Sequence, residues 1–354
     1  MQKHIMIILT EYCNLNCSYC FEHFKSMRHI SYECAKKIVD TELEDNKYSS
    51  YLIEFFGGEP FIEFDLMQQL YDYIETKGKN VTYFITTNGT LVHGNIQSWL
   101  YNRRNKFICS LSLDGNRAMH NINRDNSFDN IDLAFFAKTW PKQTVKMTIS
   151  VETLPYLFDG IKFIVEKGLQ PKISFAQGII WKEDNLKILE KELNKIIDYY
   201  FDNSQLPLLD LLNKNLMLVD CHKNKKWCGM GGQLTAFDTE GNRYPCQSFS
   251  PSSLGDINSK KYINKTENDF VFKYKESSPC AECQIEQLCP NCYGANVQMT
   301  GDYMQRNMSL CKLQKLIVLA SAKYQYRKIS SKTQYTEENV LILRAIKRLQ
   351  TICI

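Results

Sequence analysis

No window of the 354-residue sequence approaches the ~18 consecutive apolar residues that a membrane-spanning helix needs. The N-terminus lacks a basic-then-apolar leader with a small-residue cleavage site, which places the expected location in the cytoplasm. Low-complexity segments are missing, and so are clear hairpin turns before about residue 203. The first absences give no support to a membrane span or a signal peptide, and so none to the usual setting for disulfides. Fourteen cysteines must therefore be read from their spacing, which suits metal better than disulfides. The remaining composition, 44% apolar and 23% charged, is that of an ordinary globular protein large enough for a main domain and a smaller one.

What is present up to residue 203 is a repeated unit: a β-branched and apolar run, a polar loop, then a stretch of helical period. The runs are 4–9, Tyr51–Phe56, Val81–Ile85, Phe107–Leu113, Val145–Val151 and Ile173–Ala176. The first helix starts at Ser31 as N-cap, with Ala35, Ile38, Val39 and Leu43 on one face. The second starts at Asp65, with Leu66, Leu70 and Ile74 facing inward. Others fall near 94–104, 127–139, 156–167 and 185–202. Such a series predicts an α/β fold, a parallel sheet with crossover helices curled into a partial (β/α)6 TIM-like barrel. Its active site belongs at the C-terminal ends of the strands. The barrel is expected over 1–205, a connector over 206–220, a small cysteine-rich domain over 221–325 and a helical tail over 326–354. In the cysteine-rich part little apolar periodicity survives, so metal ligation has to supply much of the folding energy. In the tail Thr336 is the N-cap, Glu337 and Glu338 fill the first turn, and Leu341, Ala345 and Leu349 share a face.

The loops after the strands carry the chemistry. Cys13-Asn-Leu-Asn-Cys17-Ser-Tyr-Cys20 follows the first run and puts three thiols at C-x3-C-x2-C spacing. Three thiolates hold three corners of a 4Fe–4S cube and leave the fourth iron without a protein ligand, open to a small molecule. A zinc knuckle lacking a ligand and a reactive-thiol loop are the alternatives. Gly57-Gly58-Glu59-Pro60 ends the second strand, its glycines allowing close backbone approach to a polar ligand or forming a simple turn. Thr87-Asn88-Gly89 ends the third. Ser112-Leu113-Asp114-Gly115 ends the fourth, offering a hydroxyl and a carboxylate to ribose or capping a turn.

Together, the three-cysteine loop, the aromatic Tyr19 before its third cysteine and the GGEP loop resemble the radical S-adenosylmethionine (SAM) enzymes, over residues 4 to about 203. The resemblance implies that SAM completes the open iron through its amino and carboxylate groups. It also implies that the Gly57, Gly58 and Glu59 loop holds the methionyl ammonium, that Ser112 meets the ribose and that Tyr19 lies near the adenine. Arg124, in His120-x3-Arg124, would pair with the methionyl carboxylate, or else be a solvated loop arginine.

The second cysteine set resembles the auxiliary-cluster module called SPASM, found in peptide-modifying members of that family. Its pattern is met by Cys228, a twelve-residue gap and Gly241-x4-Cys246, then by Cys280, Cys283 and Cys289 at C-x2-C-x5-C spacing, with Cys311 later. Cys292 follows Cys289 at x2, where the pattern has x3, and Cys221 stands where sulfatase-maturing relatives place an additional ligand. Carried over, Cys221, Cys228, Cys246 and Cys292 hold one 4Fe–4S cluster, and Cys280, Cys283, Cys289 and Cys311 another. Paired structural zinc sites are the rival. Cys34, Cys109 and Cys353 stand apart, as small core residues or a tail thiol. Three loaded clusters would add roughly −5 to the formal +4, so the apoprotein's charge carries no nucleic-acid inference.

The resemblance implies reductive cleavage of SAM to a 5′-deoxyadenosyl radical, hydrogen abstraction from a peptide or protein, and auxiliary clusters that pass electrons. Sulfatase maturases of this group carry an aspartate base directly after the cysteine of G-x4-C, and this chain has Gln247 there. Cys289-Pro-Asn-Cys292-Tyr-Gly-Ala-Asn296 looks more like maturases that form thioether crosslinks in cysteine-rich ribosomal peptides. Formylglycine formation, or a zinc- or iron–sulfur-stabilised binding or electron-transfer protein, are the alternatives. No residue is identified as the substrate base. The expected partners are a one-electron reductant such as flavodoxin or ferredoxin and, because little chain precedes the first strand, a separate leader-recognition protein or a groove beside the barrel. His23 and His222 neighbour ligand cysteines but are expected to face solvent, as is the run Lys223–Lys226.

Overall fold

The computed structural model describes residues 1–45, 47–141, 143–221 and 226–352. His222, most of the Lys223–Lys226 run and Cys353 lie outside them. Strand β1 (Gln2–Thr10) is buried along nearly its whole length, as a central parallel strand covered on both faces must be. Parallel to it lies β2 (Ser50–Gly57), then β3 (Val81–Thr87) and β4 (Phe107–Leu111). Near the C-terminal end of β1 the register slips, and Thr10 comes opposite Gly57.

On the other side of β1 lies β7 (Leu234–Phe237), also parallel, and then the antiparallel β8 (Arg243–Tyr244). The order is therefore β4-β3-β2-β1-β7-β8. A strand from the cysteine-rich segment thus extends the sheet that the first units build. Beyond β4, Ser112 bridges to Lys146 in parallel, and β5 (Thr144–Ile149) pairs with β6 (Gln170–Phe175). The fold is α/β with a parallel sheet, as the sequence leads one to expect. All six expected strands are present, within a few residues of the expected bounds.

The crossover helices follow the apolar pattern. In α1 (Tyr32–Leu43) Ser31 accepts from Cys34 N, and the four expected apolar residues are buried. In α2 (Phe64–Glu75) Met67 takes the inner position expected of Leu66, which stays half-buried, while Leu70 and Ile74 are buried. Helix α3 (Gly94–Arg103) precedes β4, and an unexpected short helix, α4 (Arg117–Asn123), follows it, capped by Asn116. The stretch read as one helix over 127–139 is a 3-10 turn at Phe128–Asn130 followed by α5 (Leu133–Thr139). Asp132 restarts the helix by accepting from Phe135 N. Helix α6 (Leu157–Glu166) precedes β6 and α7 (Glu183–Asp202) follows it. Phe55, Tyr83 and Phe107 stack across β2, β3 and β4, with centroids 4.8–6.4 Å apart. Each such pair contributes about 0.5–1.5 kcal/mol beyond its burial.

Compactness divides the chain into two interleaved units, differently from the sequence pattern. One comprises Met1–Lys146, Ile164–Gln170 and Cys228–Val271. The other comprises Met147–Phe163, Pro171–Trp227 and Phe272–Ile354. The first contains the six-stranded sheet and α8 (Pro251–Ser259). In the second, α7 packs on α10 (Ser309–Ser330), and a core gathers Leu216, Val219, Ile285, Leu288, Val318 and Leu349. This core gives the cysteine-rich stretch apolar support that its weak periodicity does not announce. Helix α9 (Tyr293–Thr300) precedes α10, and α11 (Glu337–Leu349) is capped by Thr336 as expected. Ala345 and Leu349 are buried, but Leu341 is 48% exposed. Among the described residues no helix is long and apolar enough to cross a membrane.

Candidate active site

The three-cysteine loop follows β1 and is held on two sides within the first unit. On one side stands the Gly57–Glu59 turn. Gly58 N donates to Thr10 O at 3.1 Å and Glu59 N to Tyr12 O at 3.0 Å. A Cβ on Gly58 would stand 2.3 Å from Tyr12 O and 2.8 Å from Cys13 Cβ, so the approach requires glycine. Glu59 is buried and points inward, accepting from Thr87 Oγ1 and Asn88 N at 2.8 Å and from Phe61 N at 3.2 Å. Burial pushes its carboxyl up to about 7 against the pull of these bonds. Asn88 Nδ2 in turn donates to Asn14 Oδ1 at 2.9 Å, tying the loop after β3 to the cysteine loop.

On the other side stands the segment after β4. Ser18 N donates to Asn123 O at 2.9 Å. Asp114 is wholly buried, and its Oδ2 receives Tyr19 Oη at 2.5 Å, Arg124 Nε at 2.9 Å and Asn123 Nδ2 at 3.2 Å. Arg124 is therefore no solvated loop residue. It is buried, its guanidinium carbon lies 5.3 Å from the Tyr19 ring centre, and its Nη1 comes to 3.9 Å from Cys17 Sγ. Asp114 N approaches His120 Nδ1 at 3.3 Å, and Ser127 Oγ lies 3.1 Å from Nε2. Burial, with Arg124 beside it, lowers this imidazole to about 4, so it is neutral and carries its proton on Nε2. Ser112 is buried, its N–H taken by Thr87 O at 2.9 Å.

The structure thus draws Cys13, Cys17, Cys20, Tyr19, Gly57, Gly58, Glu59 and Arg124 into one network. Asn123 and Lys25 join it unannounced by any motif. Lys25 Nζ donates to Leu15 O at 3.2 Å. Burial would lower its ammonium, but the negative charge of the Cys20, Cys13 and Cys17 side chains as thiolates, with that of Glu22, outweighs that and raises it. Burial pushes the Cys13 thiol up to about 11 and raises Cys17 as well, partly countered by Arg124 in the second case. Three partly buried soft donors beside two fixed cations fit a cluster whose thiolates need charge compensation.

The second cysteine region lies in the other unit. Cys280, Cys283, Cys289, Cys292 and Cys311 all line one cavity of about 180 Å³. Burial pushes Cys289 up to about 11 and raises Cys280 and Cys311. Soft donors on several sides of a cavity fit an iron–sulfur core. Among the described residues no three His, Cys, Asp or Glu side chains gather as one metal ion requires. Cys221 belongs to this unit too, its N–H on Leu218 O at 3.1 Å, while the exposed Cys228 and the buried Cys246 belong to the first. Among the lone cysteines Cys109 is a core residue as expected, whereas Cys34 is half-buried. His23 is exposed.

Residues 7–134 match the model of the radical SAM superfamily. A cysteine-type anaerobic sulfatase-maturating enzyme of Clostridium perfringens is 25% identical over 324 residues, covering 78% of this chain and 84% of the relative. The radical SAM cyclopropyl synthase TigE of Paramaledivibacter caminithermalis is 22% identical over 352 residues, covering 89% and 73%. The solved structure of native anSMEcpe with bound AdoMet and Kp18Cys peptide superposes with a TM-score of 0.69 at 20% identity, covering 99% of this chain and all of that one.

Proposed function

We propose that this chain, whose residues 7–134 match the radical SAM model, is an enzyme of that superfamily and matures a peptide by forming a crosslink such as a thioether. Gln247 carries this reading. It directly follows Cys246, at the position where the sulfatase-maturase resemblance requires an aspartate base, and a neutral amide accepts no proton usefully. It opens a 3-10 turn, and its buried Oε1 has no partner among the described residues.

In this reading Cys13, Cys17 and Cys20 hold the cluster whose open iron takes SAM. When bound there, the cluster and SAM would supply the hydrogen-abstracting radical chemistry. The Gly57–Glu59 backbone receives the methionyl ammonium, Ser112 the ribose and Tyr19 the adenine. Arg124, already holding Asp114, adds positive charge for the methionyl carboxylate. By the SPASM resemblance Cys221, Cys228, Cys246 and Cys292 would hold one auxiliary cluster and Cys280, Cys283, Cys289 and Cys311 another, and these would supply an acceptor for the electron left on the substrate. A flavodoxin or ferredoxin reduces the enzyme in the cytoplasm, and a separate protein presents the peptide leader.

Formylglycine formation is the second reading, favoured by the likeness to the Clostridium enzyme. Anaerobic reconstitution separates the possibilities. Full loading gives about twelve irons per chain and release of 5′-deoxyadenosine with SAM and reductant. Replacing Cys13, Cys17 and Cys20 together by Ala leaves about eight irons and no release. Continued cleavage of SAM by that variant, or zinc in place of iron, overturns the assignment. With a cysteine-rich peptide the product loses a pair of hydrogens and keeps its sulfur. An aldehyde in place of a cysteine thiol would instead establish the second reading.

A further inference from the structure

Among the residues that line the cavity with Cys280, Cys283, Cys289 and Cys311, two present buried side-chain N–H groups without a partner among the described residues. Arg306 is among its lining residues, with its side chain 9% exposed. Its Nη1 donates to Cys289 O at 2.9 Å. Its Nη2 reaches Glu286 Oε1 at 3.3 Å and Tyr274 Oη more closely. Its Nε is buried with no partner among the described residues. Asn291 also lines the cavity, at 9% exposure. Its Oδ1 accepts from Asn296 Nδ2 at 2.8 Å, whereas its Nδ2 is buried with no partner among the described residues.

A buried donor left unmade costs about 1–3 kcal/mol, so two such donors on one cavity call for an acceptor inside it. The guanidinium is also tied on its other nitrogens, to Cys289 O, Tyr274 and Glu286. Glu286 sits under it, itself bound by Tyr274 Oη at 3.3 Å and Trp227 Nε1 at 3.4 Å. Its charge is thereby held beside thiols that become thiolates when they bind a cluster.

We propose that Arg306 Nε and Asn291 Nδ2 donate hydrogen bonds to the sulfurs of the cluster held by Cys280, Cys283, Cys289 and Cys311, and thereby raise its reduction potential. The inference rests on the auxiliary-cluster reading above. Reduction adds one electron and no proton, making the cluster more negative. Donated hydrogen bonds and a nearby cation stabilise that state over the oxidised one. This makes the cluster a ready electron acceptor. Arg306 and Asn291 are positioning residues here, acting through the cluster and never touching substrate.

The test is a redox titration of the anaerobic holoprotein followed by electron paramagnetic resonance, with iron and zinc counted in each sample. In Arg306→Met one cluster of the set shifts to lower potential. At a fixed poise its reduced-to-oxidised ratio falls roughly tenfold, about 59 mV for one electron. Arg306→Lys, which keeps the charge, recovers part of the shift. Asn291→Ala shifts the same cluster in the same direction and leaves the Glu286 and Tyr274 ties alone, so it serves if Arg306→Met fails to load. Pulsed measurements in heavy water show an exchangeable proton coupled to this cluster that weakens in each variant. Full iron content with unshifted potentials overturns this proposal alone. Zinc in the cavity, with about four irons fewer, overturns the cluster reading and the proposal with it.

Discussion

Arg124 and Asp114 form a buried ion pair, Nε to Oδ2 at 2.9 Å, whose far side reaches Cys17 Sγ at 3.9 Å. The pair stands between the segment after β4 and the cysteine loop, so each depends on the other for its position. Removing the cation strands a buried carboxylate, which costs about 3–5 kcal/mol where no water can replace the partner. Arg124→Met should lose that much in chemical denaturation of the apoprotein. It should also weaken SAM binding to the reconstituted enzyme. Asp114→Asn, which keeps an acceptor for Tyr19, should lose less. Equal stability of wild type and Arg124→Met would remove the pair from the site's support.

Glu59 makes stability depend on pH in an unusual direction. Burial raises its folded value to about 7, above the ordinary 4.5. Between those values the folded chain binds the proton that the unfolded chain has released, so this group's contribution falls as pH rises from about 4.5 to about 7 and stays lost above. The drop is of order 3 kcal/mol. In Glu59→Gln that slope should vanish. A flat cost of about 1–3 kcal/mol should replace it, because the amide turns a donor toward Asn88 N or Thr87 Oγ1. The difference between the two unfolding free energies, followed from pH 4 to 8, isolates the effect. A constant difference would place the proton elsewhere.

How far this site could be read in advance depended on whether its residues recur at fixed spacing. The thiol loop and GGEP announce themselves only in combination, since alone the first also reads as a zinc or reactive-thiol loop and the second as a simple turn. The Arg124–Asp114–Tyr19 contact does not, since it joins residues some hundred positions apart, and a lone arginine reads equally well as solvated. Asn123 is invisible for the same reason, and Lys25, whose partners are close in sequence, belongs to no recurrent motif. In the fold, period-two and helical patterns placed the six strands and most helices. The pattern missed α4, whose seven residues are too few to show a period, and ran α5 back to 127 across the Asp132 cap. Strand β7 escaped too. Four residues carry no signal that they will pair with β1 from more than two hundred positions away.

Gly58 should tolerate no side chain. An added Cβ meets the Tyr12 carbonyl and the Cys13 side chain at distances that nothing flexible can relieve. Gly58→Ala is therefore expected to push the cysteine loop away and cost about 1–3 kcal/mol in overpacking. About four irons and the release of 5′-deoxyadenosine should be lost with it. Gly78→Ala is the matched comparison. Its φ of +61° is strained for alanine, but its Cβ would meet nothing within 4 Å, so iron content and SAM cleavage should both survive. Full loading of Gly58→Ala would show that the loop moves without consequence.

Cys289 tests whether the second unit depends on its metal. The residue packs against the core around Ile285 and Leu288, and it lines the cavity with Cys280 and Cys311. In the proposed cluster, replacing it by Ala would remove a ligand and leave the Arg306 guanidinium facing fewer thiolates. The expected variant holds about eight irons and melts at lower temperature. It should still cleave SAM when reduced chemically, because the three-cysteine loop lies in the other unit. If the proposed cluster accepts the electron left on the substrate, the variant should fail to complete the peptide product. Cys109→Ala, in the core of β4, sets the scale for losing a buried thiol without metal: a modest loss of stability, of about 0.5–3 kcal/mol, and an unchanged iron count. Uncoupled SAM cleavage in the Cys289 variant alone would identify this cluster as an electron acceptor. Equal product from both variants would reduce it to a structural clasp.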